Sequence, residues 1–246
     1  MSQRINSSPG EGPLTVNSLL KFVAALAIVI PALTVGADAT APASSPEPAL
    51  SFRVERGGTP IGTHTIQFTE TGDELHVAID INLAVSFGPI TVFRYTHTNR
   101  EIWRDGRLVA IETETDDDGR LFSVSAKMTD EGLEVTSSEN GTFIAPENII
   151  PTSYWNPATI EQTQLLDTQR GRIIEVQVNE TATREAVLDG ETLSVREYEM
   201  TGDLKLKLWY SPQMEWLNVI FRARGADVDY HVERFDRERV QRLALQ

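Results

Sequence analysis

Residues 75–87 constrain the fold of this chain more than any other stretch. Their odd positions are Leu75, Val77, Ile79, Ile81, Leu83, Val85 and Phe87, and their even positions are His76, Ala78, Asp80, Asn82, Ala84 and Ser86. Period-two alternation sustained over that length belongs to a strand with one apolar and one wet face. Residues 204–210 repeat it, setting Leu204, Leu206, Leu208 and Tyr210 against Lys205 and Lys207. Turn dipeptides punctuate the chain between such runs: Asp105-Gly106, Asp118-Gly119, Asn140-Gly141 and Asp189-Gly190. These pairs suit a type I′ hairpin, whose two central residues both need positive φ. Gly57-Gly58, Thr71-Gly72, Glu131-Gly132, Gly202-Asp203 and Gly225-Ala226 fit the same role. The pattern predicts an antiparallel meander of about a dozen strands between residues 50 and 235.

An open sheet rarely exceeds about ten strands without curling. The expected fold class is therefore all-β: a large curled antiparallel sheet (half-barrel, barrel or roll) with one short helix. That helix is predicted at 157–168. Asn156 suits its N-cap, Pro157 the first helical position and Gly171 the residue just past its end. Tyr154 and Trp155 stand between Pro151 and Pro157 at the approach to it. They are expected either to pack into the end of the core and pin the helix, or to stand exposed as a ligand-contacting loop.

The front of the chain has a different character. Arg4 and Lys21 precede an apolar run, residues 22–36, and "ADA" follows at 37–39. A basic region, a short apolar run and a small-x-small site describe a secretory signal. The run is interrupted by Pro31 and is short for a membrane span, which needs about 20 apolar residues. The division expected is a signal peptide at 1–39, a Pro/Ala/Ser-rich flexible leader at 40–49, a single β domain at 50–237 and a C-terminal tail at 238–246, with periplasmic or secreted localisation. The chain has no cysteine, so a disulfide framework, a thiol nucleophile and a lipid-modified cysteine are all excluded. Its net charge of −14 repels phosphate backbones, so no nucleic-acid partner is expected, and no membrane span after signal cleavage.

Several stretches together resemble a known family. They are "FRYTHTNREIWRDGRLVAIETETDDDGRLFSV" at 93–124, "PTSYWN" at 151–156, "GDLKLKLWYSPQMEW" at 202–216 and "GADVDYHV" at 225–232. In this order and spacing they are similar to an uncharacterised family of exported, mainly proteobacterial β-rich proteins, a domain of unknown function. The resemblance implies an envelope location and a β-rich fold. It supplies no reaction and no catalytic residues.

No metal site and no cofactor are expected from the residues. In Asp227-x-Asp229-x-His231-x-Glu233 the side chains share a strand face but lie about 6.6–6.8 Å apart along it, too far to converge on one ion. "TDDDGR" at 115–120 lacks the alternating acids of a calcium loop and reads as a hairpin turn. His64 shares a face with Ile66 and Phe68 and is expected to pack in or line the core. Ser153 lacks a nucleophile elbow, and its only conceivable base is a spatial partner such as His97. The more suggestive feature is aromatic. Phe93, Tyr95, His97 and Trp103 share one strand face, and with Tyr154 and Trp155 they are the candidate ligand-binding residues. The function expected is non-catalytic: an exported envelope protein that binds an apolar or amphipathic small molecule or serves as a scaffold. The alternatives are a hydrolase acting at the sheet mouth through Ser153 and His97, and a protein-protein interaction module with a filled core.

Overall fold

A computed structural model describes residues 47–188 and 190–244. The expected signal segment, and the leader as far as residue 46, lie outside the described residues. The strands run in chain order as β1 (Leu50–Arg56), β2 (Thr59–Thr71), β3 (Glu74–Phe87), β4 (Ile90–Arg104), β5 (Arg107–Asp117), β6 (Arg120–Thr129), β7 (Gly132–Ser137), β8 (Gly141–Ala145), β9 (Ile150–Pro151), β10 (Gln164–Leu166), β11 (Ile173–Leu188), β12 (Glu191–Gly202), β13 (Leu206–Tyr210), β14 (Trp216–Ala223) and β15 (Ala226–Phe235). They form one 15-stranded sheet in the order β8-β7-β6-β5-β4-β3-β2-β1-β15-β14-β13-β12-β11-β10-β9. All pairings are antiparallel except β9 with β10. The meander is thus as the turns predicted, with β1 joining its two halves by pairing with both β2 and β15.

The turn chemistry holds at two of the four strongest pairs, and Asp189 of Asp189-Gly190 lies outside the described residues. Asp105 and Gly106 have φ of 52° and 71°, and Asp118 and Gly119 have 56° and 88°, the double-positive pair that a type I′ turn requires. Asn140 departs from the expectation: only Gly141 has positive φ there. The Asn140 side chain instead donates to the Arg170 carbonyl at 2.7 Å, tying this hairpin to a distant segment.

Two expectations are corrected. The sheet does not close or curl into a barrel, half-barrel or roll. Its ladder ends at two edges, β8 and β9, and no pairing joins them. The expectation rested on the need of a wide sheet to bury its apolar face, and this chain meets that need differently. Residues 146–172, the strap between β8 and β11, carry the end strands β9 and β10 and bury Ile149, Ile150, Leu165 and Leu166. Between those strands Trp155 is buried on Phe68 of β2 and Trp103 of β4. The second correction concerns the helix at 157–168. Asn156 does cap, its Oδ1 accepting from Ala158 N at 3.0 Å, but only one 3-10 turn follows, Pro157–Glu161. Gln162 is already extended, and Leu165 and Leu166 pair in β10 with Ile174 and Ile173. Ile160, Leu165 and Leu166 make no single helical stripe, so sheet pairing wins over an isolated short helix. An α-helix occurs instead at Arg237–Ala244, where a tail was expected, with Asp236 Oδ1 accepting from Arg239 N at 3.2 Å at its start.

The strap is held along its length. Tyr210 donates its hydroxyl hydrogen to the Tyr154 carbonyl at 2.7 Å, and Thr113 donates to the Thr168 carbonyl at 2.7 Å. Gly171 ends it with φ 61°, its N–H donating to the Asp167 carbonyl at 2.8 Å. A Cβ on Gly171 would overlap Ser137 Cβ and press on both Val124 methyls at 3.0 Å. Gly171→Ala is expected to lower stability by about 1–3 kcal/mol through overpacking and a strained φ, which chemical denaturation would measure. An unchanged midpoint would mean that the strap does not pack on β6 and β7 as described.

Candidate functional site

β4 carries the site. Its odd residues, Phe93, Tyr95, His97, Asn99, Glu101 and Trp103, form its more buried face, as its burial pattern shows. The alternation is that of any half-buried strand, but the middle of the row is polar. His97, Asn99 and Glu101 are all buried.

Glu101 is 1 % exposed and has no cation beside it among its hydrogen-bond partners. Its Oε2 accepts from the indole N–H groups of Trp103 at 2.8 Å and Trp155 at 2.9 Å. Its Oε1 accepts from the Asn99 amide at 2.8 Å. Burial pushes the Glu101 carboxyl up from its ordinary pKa, and the Trp155, Trp103 and Asn99 donors pull it only part of the way back. Ser153 also favours the charged form, though its hydroxyl makes no well-aligned hydrogen bond. The indoles meet edge to face at 5.3 Å, and Trp155 meets Phe68 at the same distance. Trp155 is therefore a peg, with an apolar body in the core and an N–H on a buried carboxylate.

Beside this peg lies a cavity of about 620 Å3. One wall is β2–β4, with His64, Ile79, Ile81, Leu83, Tyr95 and His97. Further along the same sheet, beyond β1, β13–β15 contribute Leu206, Trp216, Val219, Phe221 and Tyr230. The strap supplies Ser153 and Tyr154. The charged lining residues, among them Arg56, Asp117, Asp167, Arg172 and Arg224, are partly or fully exposed and so form the rim. There Arg224 stacks 4.1 Å above the Phe93 ring and approaches Asp117 at 3.7 Å, and Arg172 pairs with Asp167 at 3.2 Å. The hairpin that supplies Val85, Val92 and Phe93 to the lining ends in Phe87 and Ile90, which are 82 % and 64 % exposed.

Of the six candidate residues, Phe93, Tyr95, His97 and Tyr154 line this cavity, whereas Trp103 and Trp155 stand outside it around Glu101. Tyr154 has φ 62°, a conformation unusual for a bulky residue, and its ring meets Trp216 at 5.8 Å. His64 is the lining histidine anticipated from its strand face. Sequence reasoning missed Tyr230 and Phe221, whose place in the lining depends on pairing between distant strands. It also missed Glu101, although a carboxylate on the aromatic parity of β4 was a visible signal.

Burial favours the neutral form of the two cavity histidines, His64 and His97. Burial pulls His64 down to about 3, with His97 adding to the shift, and pulls His97 down to about 4. His97 Nδ1 pairs with Thr115 Oγ1 at 2.8 Å, and no hydrogen bond joins His97 to Ser153 among the described residues. The arrangement thus lacks the base–nucleophile contact that acyl transfer needs. On the outer face, Asp227 pairs with Arg222 at 3.0 Å, and His231 lies 3.5 Å from both Glu55 and Asp229. Among the described residues no group of three His, Asp or Glu side chains is placed to hold a metal ion, and no helix is long and apolar enough to cross a membrane.

Residues 52–233 match the family model described as Domain of unknown function (DUF6134). The chain belongs to the DUF6134 family. The β-rich family of unknown function expected from the sequence is thereby met. No curated protein matches this DUF6134 chain. Among solved structures it is similar to the crystal structure of a beta-barrel-like protein of domain of unknown function DUF1849 from Brucella abortus. The TM-score is 0.54 at 10 % identity, covering 75 % of this chain and 94 % of that one. At that identity the likeness between DUF6134 and DUF1849 is one of fold.

Proposed function

We propose that this domain binds an apolar or amphipathic small molecule between the strap and the sheet, and that it does so outside the cytoplasm. The observation that carries the binding reading is the cavity of about 620 Å3, walled mostly by aliphatic and aromatic side chains. That volume falls within the range of about 300–1,000 Å3 usual for small-molecule sites, with a few polar groups fixing orientation. A module with a filled core would not retain such a hollow. The export reading rests on the basic, apolar and small-x-small pattern of residues 1–39.

The test is binding of a neutral apolar fluorophore, N-phenyl-1-naphthylamine, to the purified protein. Wild type should bind it with saturable enhancement of emission. Ile81→Trp puts bulk in the middle of the β3 wall and should weaken binding at least tenfold while unfolding stays cooperative. Absent binding, or equal binding by a folded Ile81→Trp variant, overturns the cavity reading. The mass of protein recovered from the cell envelope tests export separately, since an intact residue 1–39 segment counts against it.

A further inference from the structure

We infer that the ligand enters with a neutral hydrogen-bonding group, a hydroxyl or carbonyl, at the inner end of the cavity. This rests on the binding reading above and adds the ligand's polarity and orientation. Among the described residues, six buried side-chain atoms lack a hydrogen-bond partner: His64 Nδ1 and Nε2, Asn99 Oδ1, Ser153 Oγ, Thr159 Oγ1 and Asn218 Oδ1. The first four belong to three residues of the cavity lining. Buried polar groups are ordinarily paired, so these unpaired atoms in the lining mark places for a partner that the chain itself does not supply.

The register places His64 on the same face as the β4 row. His64, Ile81, His97 and Thr115 are paired in turn across β2, β3, β4 and β5, so His64 stands two strands from β4. Asn99 follows His97 on β4, and its amide is committed to Glu101, leaving the oxygen free. Ser153 descends from the strap toward the same Glu101. The His64 ring is enclosed by Phe52, Trp216 and Tyr230 at 5.5–5.8 Å, none of which satisfies its nitrogens.

The chemistry of these groups selects the ligand. A neutral imidazole offers one donor and one acceptor, a serine hydroxyl offers both, and the Asn99 oxygen accepts. A hydroxyl or carbonyl can use such a set. A carboxylate or an ammonium group cannot, because no free counter-charge stands at this depth. Glu101 is occupied by three N–H donors, and both histidines are held neutral by burial. Burying an uncompensated ion there is strongly unfavourable. The charged residues stand at the rim, where Arg224–Asp117 and Arg172–Asp167 pair with each other. In the lining the charged residues are thus the exposed ones, while the unpaired neutral polar residues are buried among apolar side chains.

The experiment uses four probes of one chain length, 1-decanol, decane, decanoate and decylammonium, displacing bound N-phenyl-1-naphthylamine at pH 7.5. Decanol is expected to displace it at about tenfold lower concentration than the others. His64→Leu should reduce the preference for decanol over decane, and so should Ser153→Ala, which keeps a wild-type core if the histidine variant fails to fold. Decanoate displacing as well as decanol would put the head group among Arg56, Arg172 and Arg224 at the rim and overturn the inference. Equal displacement by decanol and decane would also overturn it. In both cases fluorophore binding and its loss in Ile81→Trp would leave the cavity reading standing. No fluorophore binding at all removes both.

Discussion

Trp155→Ala should lower the stability of the domain by about 3–5 kcal/mol, the usual cost of truncating a buried tryptophan. Trp155 is 5 % exposed, packs edge to face on Trp103 and Phe68, and donates to a carboxylate that is itself buried. Its loss leaves a cavity and takes one of three N–H donors from Glu101. Trp155→Phe separates the two effects, keeping most of the ring and removing the donor, and should cost about 1–3 kcal/mol. Denaturant unfolding of the three proteins measures both. A Trp155→Ala loss below about 1 kcal/mol would mean that the strap is not pegged to β4. The effect expected is on folding of the whole domain, because Trp155 stands outside the cavity lining.

Acidification should destabilise the fold, and the two cavity histidines should account for most of the effect. His64 and His97 have folded pKa values of about 3 and about 4, against about 6.5 in the unfolded chain. Between those values the unfolded state binds more protons, so stability is fully present above pH 6.5 and falls as pH drops through the window. At pH 4.5 each histidine should cost about 2–3 kcal/mol relative to pH 7.5. Glu101 has the opposite sign. Its folded pKa is raised, so its contribution is greatest below the unfolded value and declines as pH climbs. His64→Leu should remove about half of the acid loss, and Glu101→Gln should remove the opposing carboxylate contribution. Denaturation midpoints at the two pH values decide the matter. A His64→Leu protein with the wild-type pH slope would show that His64 is not buried in its neutral form.

Most of the strand architecture was legible because it is local. Alternation in 75–87 and the dipeptides Asp105-Gly106 and Asp118-Gly119 specify strand faces and turn geometry within a few residues. The same parity rule located Phe93, Tyr95 and His97 on a single inward face, and all three line the cavity. The helix expected at 157–168 failed because capping signals at Asn156 and Pro157 start a turn but do not sustain one. Leu165 and Leu166 gain more from pairing with β11. The closure of the sheet was misjudged because strand count says nothing about what else can cover an apolar face.

Sequence alone thus determined the meander, the inward row on β4 and the absence of thiol chemistry, since periodicity, turn residues and composition act without reference to distant parts of the chain. Only the tertiary structure decided that Trp155 would reach Glu101, 54 residues away. It also decided that β13–β15 and β2–β4 would line one cavity, and that His64, Asn99 and Ser153 would be left without partners in its lining. Those outcomes depend on where the strap lies on the sheet. That position is a balance of packing and hydrogen bonding between segments far apart in sequence, which no local pattern records.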